Sequence, residues 1–149
     1  MAVYERMKPS PRISVRTADW SVDRDILTAL RADVFIREQG VPADMEWDEF
    51  DAQSRHVLAT TDGLPIGTGR LLPEGHIGRM AVLREWRGQG AGSALLTSLL
   101  EIARRLGMRR VRLNAQVQAL PFYLRHGFQA QGEEFAEAAI PHRRMWRDL

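Results

Sequence analysis

Hydrophobic positions recur along this chain with two periods, and the switches between them predict alternating strands and helices. Residues 12–17 (RISVRT) alternate as a strand, and Asp19 or Ser21 can cap the helix that follows. Ile26, Leu27, Leu30 and Val34 give that helix an apolar face, which Gly40 and Pro42 end. An acidic, irregular loop runs from there to Gln53. Arg55–Thr61 and residues 65–72 flank Asp62-Gly63, a hairpin signal, and Glu74-Gly75 leads into a third antiparallel strand, His76–Val82, making a meander. Leu95, Leu99, Ile102 and Leu106 line one face of a helix expected over residues 94–106, with Gly107 at its left-handed C-terminal cap. Residues 109–116 form the next strand, parallel to the preceding one if the helix crosses back in the usual right-handed manner. A short helix over residues 121–126 stops at Gly127, and the chain from Phe128 to Trp146 supplies one or two more strands.

At 149 residues the chain suits a single domain, 1–149, long enough to bury about 70% of the surface its unfolded form exposes. The absence of cysteine excludes a disulfide framework, a thiolate metal site and a cysteine nucleophile, and fits a reducing compartment, so the expected location is the cytoplasm. No apolar run approaches a membrane span, and residues 1–12 lack the hydrophobic region of a signal peptide; they read as a loose or strand-leading terminus. The four histidines show no ligand spacing, so no metal is expected.

Net charge is only +2, but its distribution is uneven. Residues 33–51 hold seven acids (Asp33, Glu38, Asp44, Glu46, Asp48, Glu49, Asp51) against Arg37 alone. Residues 79–112 hold eight arginines (79, 84, 87, 104, 105, 109, 110, 112) against Glu85 and Glu101. One half is thus suited to a polyanion and the other to a cation, unless both are merely solvated faces. Nucleic acid is not the expected polyanion, because no aromatic motif interleaves with the arginines.

The strongest chemical signal is Arg87-Gly88-Gln89-Gly90-Ala91-Gly92, between a strand and an amphipathic helix. Closely spaced glycines bend the backbone and expose N–H groups, and a helix start adds unpaired donors and the positive end of its dipole. Such a cradle beside arginines suits a phosphate or pyrophosphate. A P-loop is excluded because no lysine follows these glycines. A dinucleotide fingerprint fits poorly, since its third glycine is replaced by Ser93 and no acidic ribose ligand lies near Leu113.

This element order, with two motifs at matching separation, resembles the GNAT superfamily of acyl-CoA-dependent N-acyltransferases over nearly the whole chain. Residues 87–92 match its Arg/Gln-x-x-Gly-x-Gly/Ala pyrophosphate motif. Residues 119–128 (ALPFYLRHGF) resemble its Ala-x-x-x-Tyr-x-x-x-Gly-Phe signature. The segments VFIREQ (34–39), IGRMAV (77–82), LNAQ (113–116) and IPH (140–142), with His56, resemble the ElaA-type branch. One departure is Gln116, where many members carry asparagine.

The resemblance implies an α/β (α+β) fold: a mixed, mostly antiparallel sheet, flanked by helices, whose central parallel strands splay apart to admit the pantetheine arm. It implies acetyl-CoA as cosubstrate and an amine acceptor as the other partner, with no membrane, nucleic acid or metal, and leaves a homodimer open. Backbone groups of Met80, Ala81 and Val82, with Asn114 opposite, would meet the pantetheine, and Arg87, Gly88, Gln89, Gly90, Ala91, Gly92 and Ser93 would hold the pyrophosphate. Arg84, Arg104 and Arg105 are further phosphate candidates.

Amide formation needs a neutral amine, and with a pKa of about 10.4 only about one molecule in several thousand is neutral at pH 7. A base or water chain must take the proton, an N–H such as that of Val82 can stabilise the oxyanion, and an acid assists the departing thiolate. By family position Tyr123 is that acid. His142 is the first candidate base and Glu38 the second, either as base or as an anchor for the amine's charge, ahead of Asp48 and His76. Glu46 also stands as a possible base, and as an anchor for the acceptor. Arg79, if it faces the cleft, would favour an acceptor carrying a carboxylate. A non-catalytic acyl-CoA-binding module is the rival reading.

Overall fold

The computed structural model describes residues 12–149; most of the segment read as a loose terminus lies outside them. Seven strands form one sheet in the order β1-β2-β3-β4-β5-β7-β6: β1 Ile13–Ala18, β2 Arg55–Thr61, β3 Leu64–Leu71, β4 His76–Val82, β5 Arg110–Gln116, β6 Gln129–Glu137 and β7 Ile140–Asp148. Helix α1 is Trp20–Arg31, continuing as π-helical turns over Ala32–Glu38; α2 is Ala43–Glu46, α3 Ala91–Arg105 and α4 Leu120–Arg125. All neighbouring strands are antiparallel except β4 and β5, as the expected mixed sheet requires.

Helices cover both faces of the sheet. Strand β2 is buried almost throughout because Val57 packs toward α3 while its neighbour Leu58 packs with Leu27 and Leu30 of α1. On the α3 side, Leu95, Leu96, Leu99, Leu100 and Ala103 meet Ile66, Ile77, Val111, Leu113 and Met145. The anticipated faces were slightly rotated: Ile26 and Leu106 are exposed, and Asp23 is buried against Arg16 instead. Hydrogen bonds from Arg16 lead the causes that hold the Asp23 carboxyl down at about 2.

Close approach of α3 depends on two glycines of β3. A Cβ at Gly67 would lie 2.9 Å from the Ala81 carbonyl oxygen and 3.0 Å from Leu95 Cδ1. One at Gly69 would lie 2.6 Å from Met80 Sδ and 3.0 Å from Leu99 Cδ1.

Two irregularities shape the centre. Between β3 and β4 the register passes from Thr68↔Ala81 to Arg70↔Gly78, so β4 carries one extra residue, a bulge at Arg79 and Met80 with Arg79 at φ 51°. Between β4 and β5 the pairing stops after His76↔Arg112 and Ile77↔Leu113. Beyond that point the strands diverge, giving the splayed parallel pair.

Candidate active site

Divergence of β4 and β5 opens a cleft of about 330 Å³, walled by the π-helical segment, the bulge, α4 and the β6–β7 hairpin. Leu83 donates its N–H to Ile66, so strand alternation turns the N–H groups of Met80 and Val82 into the gap and that of Ala81 toward β3. The gap therefore presents an unpaired strand edge, which an amide-bearing ligand can extend.

The glycine segment stands at the end of this gap. Helix α3 starts at Ala91, three residues before the expected position, with Gly90 as its N-cap at φ 94°. No Ser, Thr, Asp or Asn marks that start, which is why the apolar period alone placed it late. Gly88 also has positive φ, 75°. Among the described residues, no hydrogen-bond partner meets the backbone N–H groups of Gly88, Gln89, Gly90, Ala91, Gly92 or Ser93, a row of six free donors at the positive end of α3. Ser93 Oγ lies 3.0 Å from His126 Nε2, tying the cradle to α4. Arg104 and Arg105 are exposed at the opposite end of α3, away from this row of donors.

Arg87 positions the loop. Its Nε donates to the Val82 carbonyl at 2.9 Å, and its two terminal nitrogens grip Glu38 at 2.6 Å each. Glu38 is thus joined to the donor loop rather than to the cleft floor. Its carboxyl is held below the ordinary range, first by the Arg87 hydrogen bonds, with Arg84 3.6 Å away contributing.

The acidic segment differs most from expectation. Its inward-facing acids are not an open cation face, because arginines from elsewhere pair with Glu46, Asp48 and Asp51. Arg31, 1% exposed, donates to Glu46 Oε1 and Asp51 Oδ1 at 2.7 Å each. Arg70 binds Asp48 through both terminal nitrogens, at 2.9 and 3.0 Å, and Asp51 at 3.0 Å. Arg79 does face the cleft, but its Nη2 is held by the Glu46 carbonyl at 3.1 Å and Asp48 at 3.2 Å, with Nε 3.4 Å from Glu46. Three arginines and three acids cancel, and Arg79 is already bound on the cleft floor.

Tyr123, His142, Asn114, Met80, Arg79 and Glu46 all line this one cleft. The Tyr123 ring is wedged edge-on between Phe122 and Phe128, and among the described residues its hydroxyl has no hydrogen-bond partner. Burial alone pushes its phenol up to about 12, so it is neutral and a donor across the physiological range. His142 is buried, stacked on Phe135, with Nδ1 2.6 Å from the Ile140 carbonyl. A carbonyl can only accept, so Nδ1 is the donor there, and in the neutral imidazole Nε2 is the nitrogen that can accept a proton. His76 also lines the cleft, its pKa lowered chiefly by burial.

Comparison with known proteins agrees with this architecture. Residues 25–149 match the family model described as an acetyltransferase (GNAT) domain. The chain belongs to the GNAT acetyltransferase family. An uncharacterized N-acetyltransferase of Bacillus subtilis, YjcF, is 38% identical over 123 residues, covering 80% of this chain and 88% of that one. Among solved structures, a putative N-acetyltransferase from Lactobacillus plantarum superposes with a TM-score of 0.84 at 29% identity, covering 92% and 98% of the two chains. Escherichia coli ElaA superposes with a TM-score of 0.80 at 29% identity, covering 90% and 99%. GNAT membership supports an acyltransferase with an acyl-CoA as cosubstrate.

The sequence marked Gln116 only as a departure from the family pattern, and it gave no signal for Glu137. Gln39 and Gln116 exchange amide hydrogen bonds across the cleft, at 2.9 and 3.4 Å, which accounts for glutamine at the departing position. Glu137 enters from the tip of the β6–β7 hairpin, ahead of an Ala138-Ala139 turn with no glycine or asparagine to announce it.

Proposed function

We propose that this protein is an N-acetyltransferase that moves an acetyl group from acetyl-CoA to a primary amine by direct attack in a ternary complex. The observation that carries the reading is the alignment, along one gap, of six free N–H donors, the unpaired β4 edge and the unpartnered Tyr123 hydroxyl. A pyrophosphate suits the N–H row of Gly88 to Ser93, with Arg87 fixing the loop through Val82 and Glu38. The pantetheine arm extends β4 through Met80 and Val82, with Ala81 backing it and Asn114 opposite.

His142 Nε2 takes the proton that the ammonium must lose, and the amine nitrogen attacks the thioester carbon. The oxyanion meets an N–H of β4, that of Val82 being the first candidate. Collapse breaks the C–S bond. The second nitrogen proton ends on the thiolate by way of Tyr123, and the first returns to solvent from His142, leaving amide, free coenzyme A and one proton. A phenol raised to about 12 is a weak acid against a free thiol at about 8.5, but the same dry site raises the thiolate's basicity, which narrows the gap. With no cysteine in the chain, no thiol is available to carry the acetyl group covalently. Glu38, the alternative base, is committed to Arg87 and suits a loop-positioning role better. We place the protein in the cytoplasm; among the described residues no helix is long and apolar enough to cross a membrane.

Thiol release from acetyl-CoA in the presence of an amine panel tests the reading. Acceptor-dependent release with a matching N-acetyl product is expected. Tight acetyl-CoA binding with no release for any amine would instead favour a non-catalytic acyl-CoA-binding module.

A further inference from the structure

Glu137 is the last residue of β6, placed at the cleft mouth by a turn in which Ala138 and Ala139 both have positive φ, 50° and 62°. Left-handed backbone at two consecutive alanines is unfavourable, so the fold holds this hairpin tip in place against a local cost. The Glu137 side chain is 53% exposed. Its two oxygens lie 3.5 Å from His142 Nε2 and 3.5 Å from Asn114 Nδ2, at the limit of hydrogen-bond length.

Its neighbours are treated differently. Glu46 is held by Arg31 and Arg79, Asp48 by Arg70 and Arg79, and Glu38 by Arg87 and Arg84. Among the described residues, no arginine pairs with Glu137. Glu46 and Arg79 cancel on the cleft floor, which leaves Glu137, among the described residues of the wall, as the carboxylate without an arginine partner. The lining also carries apolar side chains, Phe35, Val41 and Met45 from the chain between the π-helical turns and α2, and Ile140, paired with Glu137 in the hairpin.

We propose that Glu137 anchors the acceptor's ammonium group, and that the acceptor is a cationic primary amine on an uncharged, largely apolar body without a carboxylate. This rests on the N-acetyltransferase reading and deepens it. A carboxylate on the acceptor would compete with Glu46 and Asp48 for Arg79, and would face Glu137. The anchor also suits the proton's route. A proton that leaves the ammonium for His142 Nε2 stays beside the same carboxylate, so the Glu137 charge is compensated before and after the transfer.

The test is a binding measurement without turnover. In the presence of excess coenzyme A, the protein is titrated by calorimetry with phenethylamine, its neutral isostere 2-phenylethanol, and phenylalanine. The wild type is expected to bind the amine at least about tenfold more tightly than the alcohol, a difference typical of one charge-assisted contact, and phenylalanine most weakly. Glu137→Gln should erase the amine's advantage while leaving alcohol affinity, coenzyme A affinity and melting temperature unchanged, and Glu137→Asp should keep part of it. Equal binding of amine and alcohol by the wild type, an undiminished amine preference in E137Q, or phenylalanine as the best ligand would overturn the proposal. Failure to acetylate any amine would count against the N-acetyltransferase reading alone, whereas lost selectivity in this titration would count against the anchor alone.

Discussion

Replacing Arg31 by methionine should destabilise the protein strongly, although it exchanges one buried side chain for another of related shape. Arg31 makes two bonds of 2.7 Å to carboxylates and a longer one to the Glu46 carbonyl. Asp51 would keep Arg70 at 3.0 Å, but Glu46, 2% exposed, would retain only Arg79 at 3.4 Å. Removing one member of a buried ionic set costs about 3–5 kcal/mol, which for a chain of this size lowers Tm by about 10 °C. The pH dependence follows from Glu46, whose carboxyl is raised first by burial, against the pull of Arg31, Arg79 and Arg70. A raised carboxyl contributes stability in the acid range that is lost as pH rises through its folded value. Without Arg31 it rises further. The variant's deficit should therefore be largest above neutral pH and shrink as pH falls toward the ordinary carboxyl value. Thermal denaturation followed by circular dichroism across this range measures both effects. A Tm within about 2 °C of the wild type at neutral pH, or a deficit that grows with acidity, would refute the network as an energetic unit.

Tyr123→Phe removes a hydroxyl with no partner among the described residues, so folding should be unaffected while kcat falls about 100-fold or more with little change in KM for acetyl-CoA. Steady-state kinetics decides this, and full turnover of the variant at every pH would remove Tyr123 from the chemistry. Gly67→Ala drives a methyl against the Ala81 carbonyl and Leu95, which costs about 1–3 kcal/mol and pushes β4 outward. A lower melting temperature with weaker coenzyme A binding is expected, and a wild-type melting curve would show that α3 yields instead.

Local periodicity revealed most of the fold, because strands such as His76–Val82 and their turns depend on short-range pattern and turn chemistry. The glycine segment and the motif around Tyr123 stand out for the same reason, each being a short run of residues. What stayed hidden was pairing over distance. Arg87 meets Glu38 from 49 positions away, and Gln116 meets Gln39 from 77. Charge counting left the acidic segment as either a cation face or a solvated one, since Arg31 and Arg70 lie outside the arginine-rich stretch and nothing local shows that they turn inward. Glu137 gave no local signal, because what sets it apart is the absence, among the described residues, of the arginine partner that nearby acids have, a contrast visible only in three dimensions.

The short junction between β4 and β5 has a mechanical consequence. Two residue pairs join them, whereas β5 and β7 share seven, so the sheet is two laddered plates, β1 to β4 and β5 to β7, backed jointly by α3. A molecule that bonds along the gap supplies the missing rungs. Ligand at 100 times its Kd adds about 2.7 kcal/mol to the folded state, and here that increment falls on the seam between the plates. On the proposed reading the cosubstrate becomes part of the sheet, and the two plates are most loosely joined in the interval between releasing one donor molecule and taking up the next.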